Sequence, residues 1–263
     1  MAAEIIKIGH VGIPLHEQVM RLLTKDENFV VINKQGAKGY IGYKALESGE
    51  IDFLVVPNSS ALLSPMTDKN LFNFMPTDKF RFISLIASVD PVFIISPLYK
   101  SIDDLISKKQ IDKTTVLSAD VGEESSLITS TYFKLKNISV TQVLYNGGGT
   151  APLIDTLAGR ADITIATESV AQNYVDKGIT YIKFKDIKNS PLNKVSINIF
   201  LLTRKDMPQE KINTLIEKCQ SNIDNTKELQ KSGKVNIIVS SEKETQIKLE
   251  EYNNFFKKLL NKN

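Results

Sequence analysis

The chain has one cysteine, two histidines, little excess charge and no long apolar run. Each shortage excludes something. A lone Cys219 cannot form an intrachain disulfide, and its place in a helical pattern marks it as a structural thiol. No apolar stretch approaches the ~20 residues that span a bilayer. His10 and His16 do not form a His-Glu-x-x-His pair, and Cys219 is remote from them in sequence. A metal site needs three or four ligands in fixed geometry, so none is expected. A net charge of +3, with no Lys/Arg stretch interleaved with aromatics, gives no footing for nucleic acid. No glycine loop is followed by Gly-Lys-Ser/Thr, and no Gly-x-Ser-x-Gly elbow occurs. The serines of the turns have no obvious histidine partner, so a Ser/His/acid triad is not expected. No cofactor motif is read. The start shows no basic region followed by an apolar one, so either the protein is cytoplasmic or this is a mature form with a replaced start.

What is present is ordinary in amount and informative in order. The 263 residues suit one large domain or two lobes, and 42% apolar with 24% charged residues is normal for a globular protein. Strand patterns at 4–8, 29–33, 51–56, 114–117, 140–145 and 163–166 alternate with helical patterns at 15–23, 40–48, 125–136, 150–158 and 167–177. Segments 80–87 and 92–96 are two apolar strands close together, and 71–79 reads as an irregular connection. Ser101 and Asp104 have capping-box spacing. After strands at 180–184 and 196–203 come a helix from Pro208, a short helix at 225–232, a strand at 235–239 and a lysine-rich helix from Glu242. Alternation of this kind predicts an α/β fold with mostly parallel sheets, with ligands held beyond the carboxyl ends of the strands.

The turns at those ends are rich in neutral donors. They hold His10 and Gly12, then Asn58, Ser59 and Ser60, then Ser118, Ser125 and Ser126, then Tyr145 to Thr150, then Thr167 and Glu168. Gly147, Gly148 and Gly149 let the backbone approach a ligand closely. Thr150 is placed to cap the next helix, whose free N–H groups favour an anion. Many donors without an ordered charge constellation predict a binding cleft more than a reaction centre. Gly36-x-x-Gly39-x-x-Gly42 is not a dinucleotide fingerprint, and close packing of a helix on a sheet explains it more simply.

Four stretches in one order carry a family resemblance. Val30–Gly42 (VVINKQGAKGYIG) resembles the "VVENxxGAGGxIG" run of the receptor proteins of tripartite tricarboxylate transporters, the Bug-type solute-binding proteins. Phe53–Ser60 falls where that family has a strand ending in a Ser/Asn-rich turn. Phe82–Val89 with Pro97 resembles its run into a second lobe. Tyr145, Gly147, Asp155, Leu157, Gly159 and Asp162 fall on its "YxG…DLLxGxVD" signature. The resemblance implies a two-lobed, type II Venus-flytrap periplasmic binding protein, closing by a hinge near Pro91 and the 196–203 strand. It implies lobe 1 from residues 1–90, lobe 2 from 91–200, and a return to lobe 1 with C-terminal helices over 201–263. It further implies a periplasmic monomer, its signal peptide removed, that is not an enzyme and takes a small mono-, di- or tricarboxylate to membrane transporter subunits.

The chain departs from the family pattern in three turns. The family's Pro-Gly-Gly loop is Gly12-Ile13-Pro14 here, its "GxGTxxH" loop is Val121–Leu127 without Thr or His, and its Asp after the strand at Ile163 falls on Ala166. An enzyme or an effector-binding domain on the same fold is the alternative. Its acid/base candidates are His10, Glu17 and Glu168, and two of them within hydrogen-bond reach of each other would favour it.

Overall fold

A computed structural model describes residues 4–12, 14–112, 114–120, 124–145, 150–188, 190–232 and 235–260. Its contacts divide the chain into two compact units, Met1–Ser88 with Ile197–Phe256, and Val89–Ser196 with Lys257–Asn263.

The first unit opens with β1 (Ile6–His10), α1 (Pro14–Leu23), β2 (Phe29–Asn33), α2 (Tyr40–Glu47) and β3 (Phe53–Pro57). It continues with α3 (Ser64–Thr67), α4 (Pro76–Lys79) and β4 (Arg81–Val89). The second unit follows: β5 (Pro91–Ile95), α5 (Ile102–Asp112), β6 (Thr114–Asp120), α6 (Glu124–Lys134), β7 (Ser139–Tyr145), α7 (Thr150–Leu157), β8 (Ile163–Thr167), α8 (Glu168–Gln172) and β9 (Thr180–Lys183). The chain then returns to the first unit with β10 (Ile197–Thr203), α9 (Gln209–Ser221), α10 (Lys227–Lys231), β11 (Asn236–Ile237) and α11 (Glu242–Leu260), the last of which belongs to that unit as far as Phe256.

The first unit's sheet has the order β11-β4-β10-β3-β1-β2. Strands β3, β1 and β2 run parallel, and β10 is antiparallel to β3, pairing Ile199 with Pro57 and Leu201 with Val55. The four residues Phe53–Val56 are fully buried, as a parallel strand covered on both faces requires. Helix α1 starts on Pro14, carries Glu17 in its first turn and ends with Arg21, which suits its dipole. Gly42 sets the distance of α2 from the sheet, because a Cβ there would stand 2.6 Å from Val11 Cγ1 and 2.9 Å from Leu54 Cδ1. Gly42 of the glycine spacing thus serves helix-on-sheet packing, while Gly36 and Gly39 take positive φ in the turn before it.

Segment 71–79 is more ordered than its sequence predicts. Phe72, Phe74 and Phe80 surround Tyr40 and Tyr43 of α2, with Tyr43 and Phe80 stacked at 5.4 Å. Lys79 covers Phe74 at 4.6 Å. These aromatics have no helical or strand period, so a pattern search passes over them.

Ahead of α2, four consecutive residues hold positive φ: Gly36 (+123°), Ala37 (+46°), Lys38 (+54°) and Gly39 (+95°). A left-handed L-residue costs roughly 1–2 kcal/mol. Lys38 offsets its share by an ion pair with Asp68 at 2.8 Å, whereas exposed Ala37 shows no such contact. The variant Ala37→Gly is therefore expected to gain about 0.5–1 kcal/mol, the relieved strain less the extra freedom of glycine in the unfolded chain. Urea unfolding of the two proteins checks it, and a loss of stability would contradict the strain argument.

The second unit's sheet has the order β7-β6-β8-β5-β9. Strands β7, β6 and β8 are parallel, and β5 is antiparallel to both β8 and β9. Val92 and Ile94 pack with Leu153, Ala171 and Ile179 on one side of the sheet. Phe93 meets Tyr132, Phe133 and Phe184. Ser101 caps α5 as its spacing predicts, accepting from the Asp104 N–H at 3.1 Å while Asp104 accepts from the Lys100 N–H. The helix expected over 167–177 breaks after Gln172, where Tyr174 leaves helical geometry and packs against the Val92 cluster.

Candidate ligand-binding edges

Within the first unit, β1 and β3 are neighbours, so their carboxyl ends bring His10, Gly12, Asn58, Ser59 and Ser60 to one sheet edge. The β1–α1 turn is held without the family's double glycine. Val11 N–H donates to Val55 O at 3.0 Å, His16 Nδ1 donates to Val11 O at 3.0 Å, and the Gln35 carboxamide donates to Gly12 O. Gly12 has φ +115°, and a Cβ on it would lie 2.5 Å from His16 Nδ1. Glycine is thus required at this position even though its neighbour is not one.

His10 is not the loop residue that the sequence reading makes it. It ends β1 and is 1% exposed. Its Nε2 stands 3.2 Å from Glu17 Oε2, near enough for attraction but not aligned as a hydrogen bond. Glu17 also accepts from Arg21 Nε at 2.8 Å, and Arg21 Nη2 donates to Val31 O at 3.1 Å. Burial lowers the His10 pKa against the opposing pull of Glu17, so the ring is neutral at pH 7. Glu17 is held low, first by its bond from Arg21.

At the end of β3, Asn58 is fully buried, and its Oδ1 accepts from the Asn198 N–H at 3.2 Å. Ser60 is 8% exposed, and its carbonyl accepts from Tyr43 OH at 3.1 Å. Gly39 is close behind, since a Cβ there would touch Ser60 at 3.1 Å.

Within the second unit, β7, β6 and β8 are adjacent, and their carboxyl ends carry Tyr145, Asp120 and Thr167 with Glu168; β6 runs past the expected Leu117 to Asp120, so Ser118 lies two residues inside the strand and not in the turn. Residues Asn146 to Gly149, and with them Gly147 and Gly148, lie outside the described residues. Ser118 lies in β6, Ser125 and Ser126 in α6, and Thr150 opens α7. The side chains of these four lie outside the description as well. Tyr145 OH donates to Asp155 Oδ2, and Asp155 Oδ1 accepts from Arg160 Nε at 2.8 Å. The Tyr145 hydroxyl is therefore tied to α7.

Glu168 lies 2.7 Å from Lys183 Nζ and accepts from Tyr181 OH at 3.3 Å. Lys183 is raised in pKa, first by its bond to Glu168. No turn or period in the sequence marks Lys183, yet the register places it at this same edge, since Thr167 pairs with Pro91 and Lys183 with Val92. A carboxylate at the start of α8 is thus neutralised by a cation from β9. Among the described residues there is no group of three or more His, Cys, Asp or Glu side chains that could hold a metal ion, and no helix is long and apolar enough to cross a membrane.

No protein-family model and no curated protein sequence matches the chain. Solved structures do match it from end to end. The periplasmic binding protein BugD superposes with a TM-score of 0.77 at 16% identity, covering 100% of this chain and 98% of its own. MatC from Rhodopseudomonas palustris with bound malate gives 0.77 at 14% identity, with 98% and 99% covered. R. palustris Rpa4515 with adipate gives 0.78 at 16% identity, with 98% and 96% covered. The chain has the two-lobed periplasmic-binding-protein fold.

Proposed function

We propose that this chain is an extracytoplasmic solute-binding protein, working as a monomer in the periplasm. It captures a small mono-, di- or tricarboxylate and delivers it to the membrane subunits of a secondary tripartite transporter. The observation that carries the reading is the full-length likeness to structures that hold malate and adipate. The chemistry of the two edges supports it. A carboxylate is well held by N–H and O–H donors, whose bonds to a charged acceptor are stronger than neutral ones. His10, Gly12, Asn58, Ser59 and Ser60 supply such donors in the first unit. In the second they are Ser118, Ser125, Ser126, Gly147, Gly148, Thr150 and Thr167, while Tyr145 gives its hydroxyl hydrogen to Asp155 and offers the ring edge only. Lys183 offsets the charge of Glu168, so that edge does not repel an anion.

One observation favours the enzyme reading: His10 and Glu17 stand 3.2 Å apart, as a base and its orienting acid would. Glu17 is already engaged by Arg21 Nε at 2.8 Å, however, so it is tied to an arginine and not reserved for orienting the imidazole.

A thermal-shift and calorimetry screen over succinate, malate, adipate and citrate tests the proposal. At a concentration 100 times its Kd, a true ligand stabilises by about 2.7 kcal/mol, or roughly 5–10 °C in Tm. If no small acid moves the melting temperature or gives binding heat, the proposal is wrong.

A further inference from the structure

One buried polar group at the first unit's edge has no explanation in the fold. Asn198 is the second residue of β10, in the otherwise apolar run Ile197–Leu202. A strand position between neighbours of this kind favours a β-branched or aromatic side chain. The residue is 1% exposed, and its Nδ2 has no hydrogen-bond partner. A carboxamide NH2 carries two donors, and leaving a buried donor unpaired is costly. Sheets rarely retain such a group without a use for it.

Its position suggests the use. The antiparallel register that pairs Ile199 with Pro57 brings Asn198 opposite Asn58, and the Asn198 backbone N–H donates to Asn58 Oδ1. Strands β10, β3 and β1 are consecutive in the sheet, so Asn198, Asn58 and His10 stand at one end of three neighbouring strands. His10, in register with Val55 and so set back from Asn58, adds a second buried polar side chain without an aligned hydrogen bond to this end of the sheet.

We infer that Asn198 is a ligand-binding residue, its carboxamide NH2 donating to a carboxylate or hydroxyl oxygen of the bound acid. The inference rests on the carboxylate-binding reading above and adds to it a donor from the returning segment of the chain. Bound ligand satisfies the group that the protein leaves unpaired, so Asn198 favours binding at the expense of the empty protein. That exchange distinguishes it from a structural amide, which would stabilise the empty protein instead.

The test uses the full chain and the variants Asn198→Leu and Asn198→Asp, with succinate, malate, adipate and citrate as probes. Calorimetry gives affinities, and urea unfolding without ligand gives stability. Asn198→Leu is expected to unfold at an equal or higher urea concentration while binding the best acid about 10- to 100-fold more weakly. Asn198→Asp, nearly the same shape but without the donors and with a negative charge, is expected to lose more than 100-fold. Affinities within about twofold of the unmodified protein, in whichever variant folds, would overturn the inference while leaving the carboxylate reading intact. Lower stability in Asn198→Leu with unchanged affinity would mark a structural amide and overturn it too. If the unmodified protein binds none of the four acids, the carboxylate reading fails and takes this inference with it.

Discussion

The variant Asp162→Ala is expected to lose roughly 3–5 kcal/mol of stability, the cost of breaking a buried charge pair from one side. Asp162 is 6% exposed. Its Oδ1 accepts from Tyr99 OH at 2.5 Å, its Oδ2 accepts from the Val116 N–H at 2.7 Å, and Lys109 Nζ stands 3.2 Å from Oδ2. Its own carbonyl accepts from the Ser96 N–H at 2.9 Å. One side chain thus joins α5, β6 and the segment after β5 to the amino end of β8. Burial and Asp162 together push the Tyr99 pKa up to about 12, so the phenol remains a donor at any working pH. Removing the carboxylate leaves Lys109, itself mostly buried, without this counter-charge. Asp162→Asn keeps the shape and should cost less than Asp162→Ala. Adding Lys109→Met to Asp162→Asn should recover part of the loss, because the stranded charge is then gone. Urea unfolding of these proteins, with Lys109→Met alone added to close the cycle, measures each loss. An Asp162→Ala loss below 1 kcal/mol would show that the pair is not a stabilising tie.

Acid should destabilise the first unit before its carboxylates protonate. His16 is 2% exposed, and burial depresses its pKa to about 4, against a bond to Val11 O that raises it and the nearby His10 that lowers it further. The unfolded chain titrates this ring near 6.5. As pH falls below 6.5, the unfolded state takes the proton first, so stability is full above that value and drains away down to pH 4. The total is about 3 kcal/mol, of which about 2 kcal/mol is lost by pH 5. His10 adds a loss in the same direction. Urea midpoints at pH 7.5 and pH 5 measure the effect, in a window above the ordinary carboxylate range. His16→Gln, which retains a donor but does not titrate, should show a much smaller difference between the two. Equal slopes in both proteins would show that His16 is protonated in the fold.

Much of this fold is legible in the sequence because its strands are short, apolar and separated by turn residues. Phe53–Val56 announces a buried strand, and Pro14, Glu17 and Arg21 mark the start and end of a helix. His10 was legible too, by a rule that the turn-based reading overrode. Ile6, Ile8 and His10 share one face of β1 by the two-residue period, so the strand itself predicts a buried ring. The 145–162 signature shows the opposite problem. Only Tyr145 to Thr150 of it read as cleft chemistry; of the rest, Asp155 bonds Tyr145, Gly159 takes the φ of +73° that ends α7, and Asp162 is a buried tie. A motif records that residues are needed and not what they are needed for. Asn198 and Lys183 were illegible for a different reason. Each matters only through a register, β10 on β3 or β9 on β5, that joins distant parts of the chain.

The place of β10 has a consequence for how the protein is made. The strands of the second unit, β5 to β9, are contiguous in the chain, so that sheet can form as soon as Lys183 has been synthesised. The first unit cannot finish so early. Its strand β10 sits between β3 and β4 and is translated some 140 residues after β3. Until then the apolar strand β3 has an open edge, a pairing template for any other unfolded chain. The segment made first is thus completed last, and the nascent protein is most vulnerable to aggregation in the interval between its two halves.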